Sequence, residues 1–326
     1  MTEPVDRRKF MKIAGASIGV GALFRVAPLL ADPAAMRVQR LLGKKNGEAV
    51  TPFSFVQLSD THVGFEGPPN PLGTKAFERA VETINSLPEK PELAIFTGDL
   101  THDSEKPGEH ADRMRLFQKI AGRLRVPIIK CVPGEHDAAL DGGSLFRDAF
   151  GQTSYAFDHR GVHFIALDNV SQGKPKVGAE QLVWLRKDLE RFPKTAPIVL
   201  FTHRPLFDLR PDWEWFTSDG DQVLDALAAY ENVTVLYGHI HREHVHQEGH
   251  STHYAARSLI FAFPDSDAGV PKKPLPFDKA KPFQNLGIRT VAEASGRPRL
   301  NEVELTLREY SGTVGIQQIL KEGESL

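Results

Sequence analysis

From Phe53 onward, short apolar runs alternate with longer amphipathic stretches. Phe53 to Leu58, Leu93 to Thr97, Val126 to Val132, Ile198 to Phe201 and Val233 to Leu236 are brief runs rich in aliphatic and aromatic side chains. Their length and composition predict buried strands. Between them, Thr74 to Ser86 carries Ala76, Phe77, Ala80, Val81 and Ile84 on one helical face. Ala111 to Leu124, Ala179 to Phe192 and Asp221 to Tyr230 also read as helices. Tyr155 to Phe157 and Val162 to Leu167 flank Arg160-Gly161 as a hairpin. Strands alternating with helices predict a layered α/β fold, in which ligands collect outside the carboxyl ends of the strands. Pro264 to Gly287, rich in Pro and Lys, reads as a loop. Strands around Val303 to Leu307 and Val314 to Ile319 are expected to finish a sheet.

The residues that follow the strands carry the chemistry. Asp60-Thr61-His62, Gly98-Asp99, Gly134-Glu135-His136-Asp137, Thr202-His203 and Gly238-His239-Ile240-His241 each stand at a strand end. Asp60 and His62 are two apart, which in extended chain puts both side chains on one side. His239 and His241 repeat that spacing. Carboxylate oxygen with imidazole nitrogen suits Fe, Mn or Zn. A carboxylate at Asp99 can bridge two cations about 3.5–4 Å apart. Each motif alone is weak. Five in order, each at a strand end, are specific.

The bulk composition narrows the rest. The 326 residues are 40% hydrophobic and 25% charged, ordinary for a globular protein. A net charge of −2 provides no broad cationic field, so no nucleic-acid partner is expected. The single cysteine, Cys131, excludes an intrachain disulfide and reads as a small core thiol. At the start, Arg7-Arg8 precedes a mild apolar stretch, Ile13 to Phe24, rich in Gly and Ala. This reads as a twin-arginine export signal over residues 1–35, followed by a polar linker at 36–50 and a catalytic domain at 51–326 without a separate cap. Twelve residues are too few for a stable membrane span. The expected location is periplasmic or otherwise extracytoplasmic, with the Tat export machinery as a partner.

The five blocks resemble those of the calcineurin-like metallophosphoesterases, over roughly residues 53–260. The resemblance implies a four-layer α/β/β/α sandwich, two mixed sheets flanked by helices. It implies that Asp60, His62, Asp99 and His241 hold one metal ion, and that Asp99, Glu135, His203 and His239 hold a second. His136 matches the family's catalytic histidine, and Asp137 matches the carboxylate that orients it. The implied activity is hydrolysis of a small phosphomonoester or phosphodiester through a metal-activated hydroxide. A metal-handling protein on the same scaffold, with little turnover, is the alternative; a nuclease is less well supported.

One block departs from the pattern. The family's third block usually reads Gly-Asn-His-Asp or Gly-Asn-His-Glu, and here Glu135 replaces the asparagine. An anionic ligand there favours a more highly charged ion such as ferric iron. Otherwise Glu135 swings away, or marks a site that binds metal but turns over poorly. On charge alone, Glu135→Asn is expected to strengthen activation by divalent ions. After His203, the stretch from Arg204 to Phe216 leaves a metal-bearing strand end. Arg204 can meet a phosphate, and Trp213 and Trp215 either stack on a substrate or pin the loop to the core. His244 and His246 share one face of a possible hairpin, as copper or nickel ligands or as solvated residues.

Overall fold

A computed structural model describes residues 52–304, apart from 139, 266–268 and 294–298. The twin-arginine segment, the linker and the strand expected at Val314 to Ile319 lie outside the described residues. In order, the elements are β1 (Phe53–Leu58), α1 (Gly73–Ser86), β2 (Leu93–Thr97), α2 (Glu109–Ala121), β3 (Ile128–Val132), α3 (Glu135–Ala138), α4 (Ser144–Phe150), β4 (Tyr155–His159), β5 (Val162–Ala166), α5 (Ala179–Leu189), β6 (Pro197–Phe201), a 3-10 turn (Pro211–Trp213), α6 (Gly220–Leu227), β7 (Asn232–Tyr237), β8 (His244–Glu248), β9 (Ser251–Ala255), β10 (Gly287–Glu293) and β11 (Arg299–Glu304).

These strands form two mixed sheets, ordered β11-β10-β1-β2-β3 and β4-β5-β6-β7-β9-β8. β1, β2 and β3 run parallel, as do β5, β6, β7 and β9. Strand side chains alternate between two cores, as the pleat requires. Phe55, Leu93 and Ile95 face Phe164, Val199 and Phe201 of the other sheet. Phe55 meets Phe164 edge-on, with ring centroids 5.7 Å apart. The opposite faces carry Val56, Ala94 and Phe96 against Phe77 of α1 and Phe117 of α2. Ile198, Leu200 and Val235 pack against Leu185 of α5 and Val223 of α6. The layers are therefore helix, sheet, sheet, helix.

Buried on both faces, the central strands show little alternation, which is why they read as continuous apolar runs. β10 escaped the sequence reading for a related reason. Ile288 and Val291 serve different cores, and Arg289 between them is buried. Its Nη2 donates to the Ala255 carbonyl at 2.6 Å, so a charge interrupts the apolar signal. At the other edge of this sheet, the Tyr155 hydroxyl donates to the Cys131 carbonyl at 2.8 Å and accepts from the Cys131 N–H at 3.1 Å. The Cys131 thiol is buried, which pushes its pKa up and keeps it protonated.

Phe117 is fully buried and stacks on Phe77 at 5.3 Å. Phe117→Ala is expected to cost about 3–5 kcal/mol of stability. Val183, 67% exposed on α5, should change stability by less than about 0.5 kcal/mol when cut to alanine. Urea denaturation of both variants checks the layer assignment; equal losses would contradict it.

Candidate metal centre

The carboxyl ends of β1, β2, β3, β6 and β7 meet along one rim, and the chain leaves β1, β2 and β7 in a tight bend. Five non-glycine residues there have positive φ: Asp60 at 53°, His62 at 40°, Asp99 at 50°, His239 at 67° and His241 at 53°. Left-handed backbone costs an L-residue about 1–2 kcal/mol, less for Asp. Such strain persists where surrounding contacts over-determine it, and it concentrates at functional sites. The contacts here cross between the sheets. His203 Nδ1–H donates to the Thr97 carbonyl at 2.7 Å, and the His239 N–H points at the Asp60 carboxylate at 3.2 Å. Two glycines allow the close approach. A Cβ at Gly98 would fall 2.3 Å from His203 Nδ1, and one at Gly134 would fall 2.1 Å from Asp99 Oδ1.

All seven residues expected to hold metal come together. Asp60, His62, Asp99 and His241 form one donor group, and Glu135, His203 and His239 form another. His62 Nε2 and His241 Nε2 are 3.3 Å apart, and His241 Nε2 lies 3.3 Å from Asp60 Oδ1. Asp99 Oδ2 belongs to both sides, 3.4 Å from His62 Nε2 and 3.4 Å from His203 Nε2. Glu135 turns inward: Oε2 is 2.8 Å from His203 Nε2 and Oε1 is 2.7 Å from His239 Nδ1.

These residues fit metal ions. Two donors about 2.1 Å from one ion stand about 3 Å apart at right angles and about 3.4 Å apart at tetrahedral angles. His203 Nε2 and Glu135 Oε2 are buried and lack a hydrogen-bond partner among the described residues, although they lie 2.8 Å apart. Donors so close without hydrogen-bond geometry are aimed at a common point rather than at each other. The far nitrogens fix the rings, as ligating histidines require. His203 Nδ1 is taken by Thr97, His241 Nδ1 by the Phe261 carbonyl at 2.9 Å, and His239 Nε2 by the Glu214 carbonyl at 3.2 Å.

Charge follows from the same packing. Burial opposes protonation of His203, but the Asp99 and Glu135 carboxylates outweigh it and raise its pKa well above the usual range. Burial likewise works against the Glu135 charge, yet His239 and His203 hold its carboxyl well below the ordinary value. His62 is pushed well down by burial and by neighbouring His136, leaving a neutral ring.

His136 stands beside the metal cluster, its ring 4.8 Å from that of His62 and stacked on His102 at 4.5 Å. Burial opposes its charge, but Asp99, Asp103 and Glu135 push its pKa up to about 9. The carboxylate that contacts His136 Nδ1 is Asp103, not Asp137. Asp137 is buried beneath the rim. It accepts from the backbone N–H groups of Leu100, Thr101 and Gly134 at 2.9–3.0 Å, and from the Thr101 hydroxyl. It orients the loops, not the imidazole. Asp103 and His102 were missed in the sequence, although a His-Asp doublet follows Gly98-Asp99 on the loop leaving β2. That loop pairs with the one leaving β1 through the Val63 N–H to the Leu100 carbonyl at 3.0 Å and the His102 N–H to the Val63 carbonyl at 3.0 Å.

The residues expected to shape the substrate pocket fall elsewhere. Trp213 and Trp215 are buried with Tyr237 and Ile240, so they pin the loop. The hairpin of β8 and β9 forms, but His244 is bound to the Tyr237 hydroxyl at 2.7 Å and His246 stacks on Phe207 at 3.8 Å. Neither belongs to a group of three converging donors among the described residues.

Residues 53–243 match the calcineurin-like phosphoesterase family. The chain belongs to the calcineurin-like phosphoesterase family. This phosphoesterase is 32% identical over 201 residues to a probable glycerophosphodiester phosphodiesterase of Arcobacter nitrofigilis, covering 57% of this chain and 71% of that protein. It is 31% identical over 215 residues to a probable cyclic nucleotide phosphodiesterase of Rhodopseudomonas palustris, covering 58% of this chain and 71% of that protein. A solved dimetal phosphatase from Danio rerio shares the fold at 14% identity, with a TM-score of 0.54 over 79% of this chain and all of that one. The protein is a metal-dependent hydrolase of phosphoric esters.

A protonated His203 cannot ligate, so cation affinity should rise with pH, and uptake should release protons. Calorimetric titration with Mn²⁺ in two buffers of different ionisation enthalpy measures that release; identical heats would refute it.

Proposed function

We propose that this phosphoesterase is an exported enzyme that cleaves a small phosphodiester at a two-cation centre. The observation that carries the reading is the shared Asp99 oxygen, equidistant from His62 and His203 at 3.4 Å. A carboxylate so placed is suited to join two ions. Asp60, His62 and His241 complete the first position, and Glu135, His203 and His239 the second; the N/O donor set suits Fe, Mn or Zn. When bound, such a pair supplies Lewis acidity, lowering the pKa of water and offsetting phosphoryl charge. The diester preference is supported by the two relatives above, both named phosphodiesterases. Export is supported by Arg7-Arg8 and the apolar stretch behind them. No helix of the described residues is long and apolar enough to cross a membrane.

The chain's own part in catalysis centres on His136. Its side chain is 31% exposed, whereas the metal-facing rings of His62, His203, His239 and His241 are buried. Asp103 engages Nδ1, which leaves Nε2 as the nitrogen that can reach substrate. The imidazolium hydrogen-bonds a phosphoryl or departing oxygen and donates its proton as the ester bond breaks. Asp103 keeps the ring oriented and charged for that step.

Two measurements test the reading. Asp99→Asn keeps a residue type tolerant of the left-handed backbone while removing the bridging charge. It should lower hydrolysis of bis-p-nitrophenyl phosphate by at least about a hundredfold; full activity would overturn the two-cation centre. His136 acts protonated, so activity should fall as pH rises through its pKa. Cations in the cluster repel that proton, so the alkaline limb should lie below 9. In Asp103→Asn, which removes a carboxylate that favours the charged ring, the limb should move to lower pH. An unmoved limb would remove Asp103 from this role.

A further inference from the structure

Arg204 immediately follows a metal-facing histidine, yet it faces into the protein. Its side chain is 9% exposed. Nη2 lies 3.4 Å from Glu135 Oε1, and Nη1 donates to the Glu214 carbonyl at 2.8 Å. Nε is buried and has no hydrogen-bond partner among the described residues. The backbone is held as firmly. Asn169 Nδ2 donates to the Arg204 carbonyl at 3.0 Å, and the Arg204 N–H donates to Asn169 Oδ1 at 3.3 Å. Glu214 has left-handed backbone, with φ 60°, and its carbonyl receives His239 Nε2 at 3.2 Å as well as the guanidinium. One strained residue thus fixes a metal-facing imidazole and a buried cation together.

A guanidinium pinned in this way cannot withdraw to solvent. Its charge is permanent, and the carboxylate it pairs with among the described residues is Glu135, the residue by which this chain departs from its family's usual asparagine. We propose that Arg204 is the built-in counter-ion of Glu135, cancelling the added carboxylate so that the second position keeps the charge of a neutral-amide site and selects divalent cations. The inference rests on the two-cation reading above. It makes Arg204 a positioning and selectivity residue, with no contact to substrate. It also reverses the sign expected from charge alone for Glu135→Asn. Removing the carboxylate now strands a buried cation beside His239, and the stranded cation repels the incoming ion.

Metal uptake by the full chain, stripped with chelator, decides the matter. Calorimetric titration should find two Mn²⁺ per wild-type chain. In Glu135→Asn the second Mn²⁺ should bind at least about tenfold more weakly, and in Glu135→Asn with Arg204→Gln it should recover to within about threefold of wild type. Offered Mn²⁺ together with Ga³⁺ as its citrate, Arg204→Gln should take up a larger share of Ga³⁺ than wild type by elemental analysis, while Arg204→Lys, which keeps the charge, should match wild type. Tighter second-site binding in Glu135→Asn overturns the proposal even if no Arg204 variant folds. So does a double variant no better than Glu135→Asn, or Arg204→Lys behaving as Arg204→Gln. A wild-type chain that takes up only one Mn²⁺ overturns the two-cation reading and this inference together. Two ions without compensation overturn the Arg204 role alone.

Discussion

A single buried carboxylate, Asp99, sets the terms for the rim. One of its oxygens faces a histidine nitrogen from each sheet, and the other accepts the His136 N–H at 2.9 Å. A charge so deep in protein is costly unless it is met by opposite charge or by donors. The rim answers in three ways. It keeps backbone donors close, it gathers imidazole nitrogens around the carboxylate, and it removes side chains where they would obstruct, at Gly98 and Gly134. The sheets make this possible because parallel strands deliver their carboxyl ends to the same place, and two such sheets packed face to face deliver five of them.

The left-handed bends belong to the same constraint. A ligand on regular strand would point above or below the sheet, into the cores filled by Phe55 and Phe96. Turning the chain sharply at Asp60, Asp99 and His239 takes these side chains out of that alternation and into the donor groups at the rim. The local strain is met by the cross-sheet hydrogen bonds and by the apolar layers beneath, so the precision of the site is supplied by the fold around it.

Much of this was legible in the sequence. The central strands showed as apolar runs, and every metal-facing residue stood just after one. The limits have physical reasons. β10 hid because Arg289, buried in mid-strand, breaks the apolar run while its guanidinium meets the Ala255 carbonyl. The family resemblance paired Asp137 with His136, but adjacent residues at the start of a helix point in different directions. The partner came instead from Asp103, thirty-three residues earlier, through pairing of two loops beyond the strands. The inward aim of Glu135 and the counter-charge behind it were equally beyond any spacing rule, since both depend on how one sheet's rim abuts the other's.

The Tyr155 hydroxyl that bridges both backbone groups of Cys131 has a consequence of its own. β3 is the outermost strand of its sheet, and an outermost strand offers unpaired rungs to any other chain that approaches. The phenol occupies the rung at Cys131 and meets both of its backbone groups, as a strand neighbour would. An intruding strand therefore finds that rung already taken, and Lys130 beside it, its ammonium 5.5 Å from the Tyr155 ring, adds the charge that edge strands carry against such pairing.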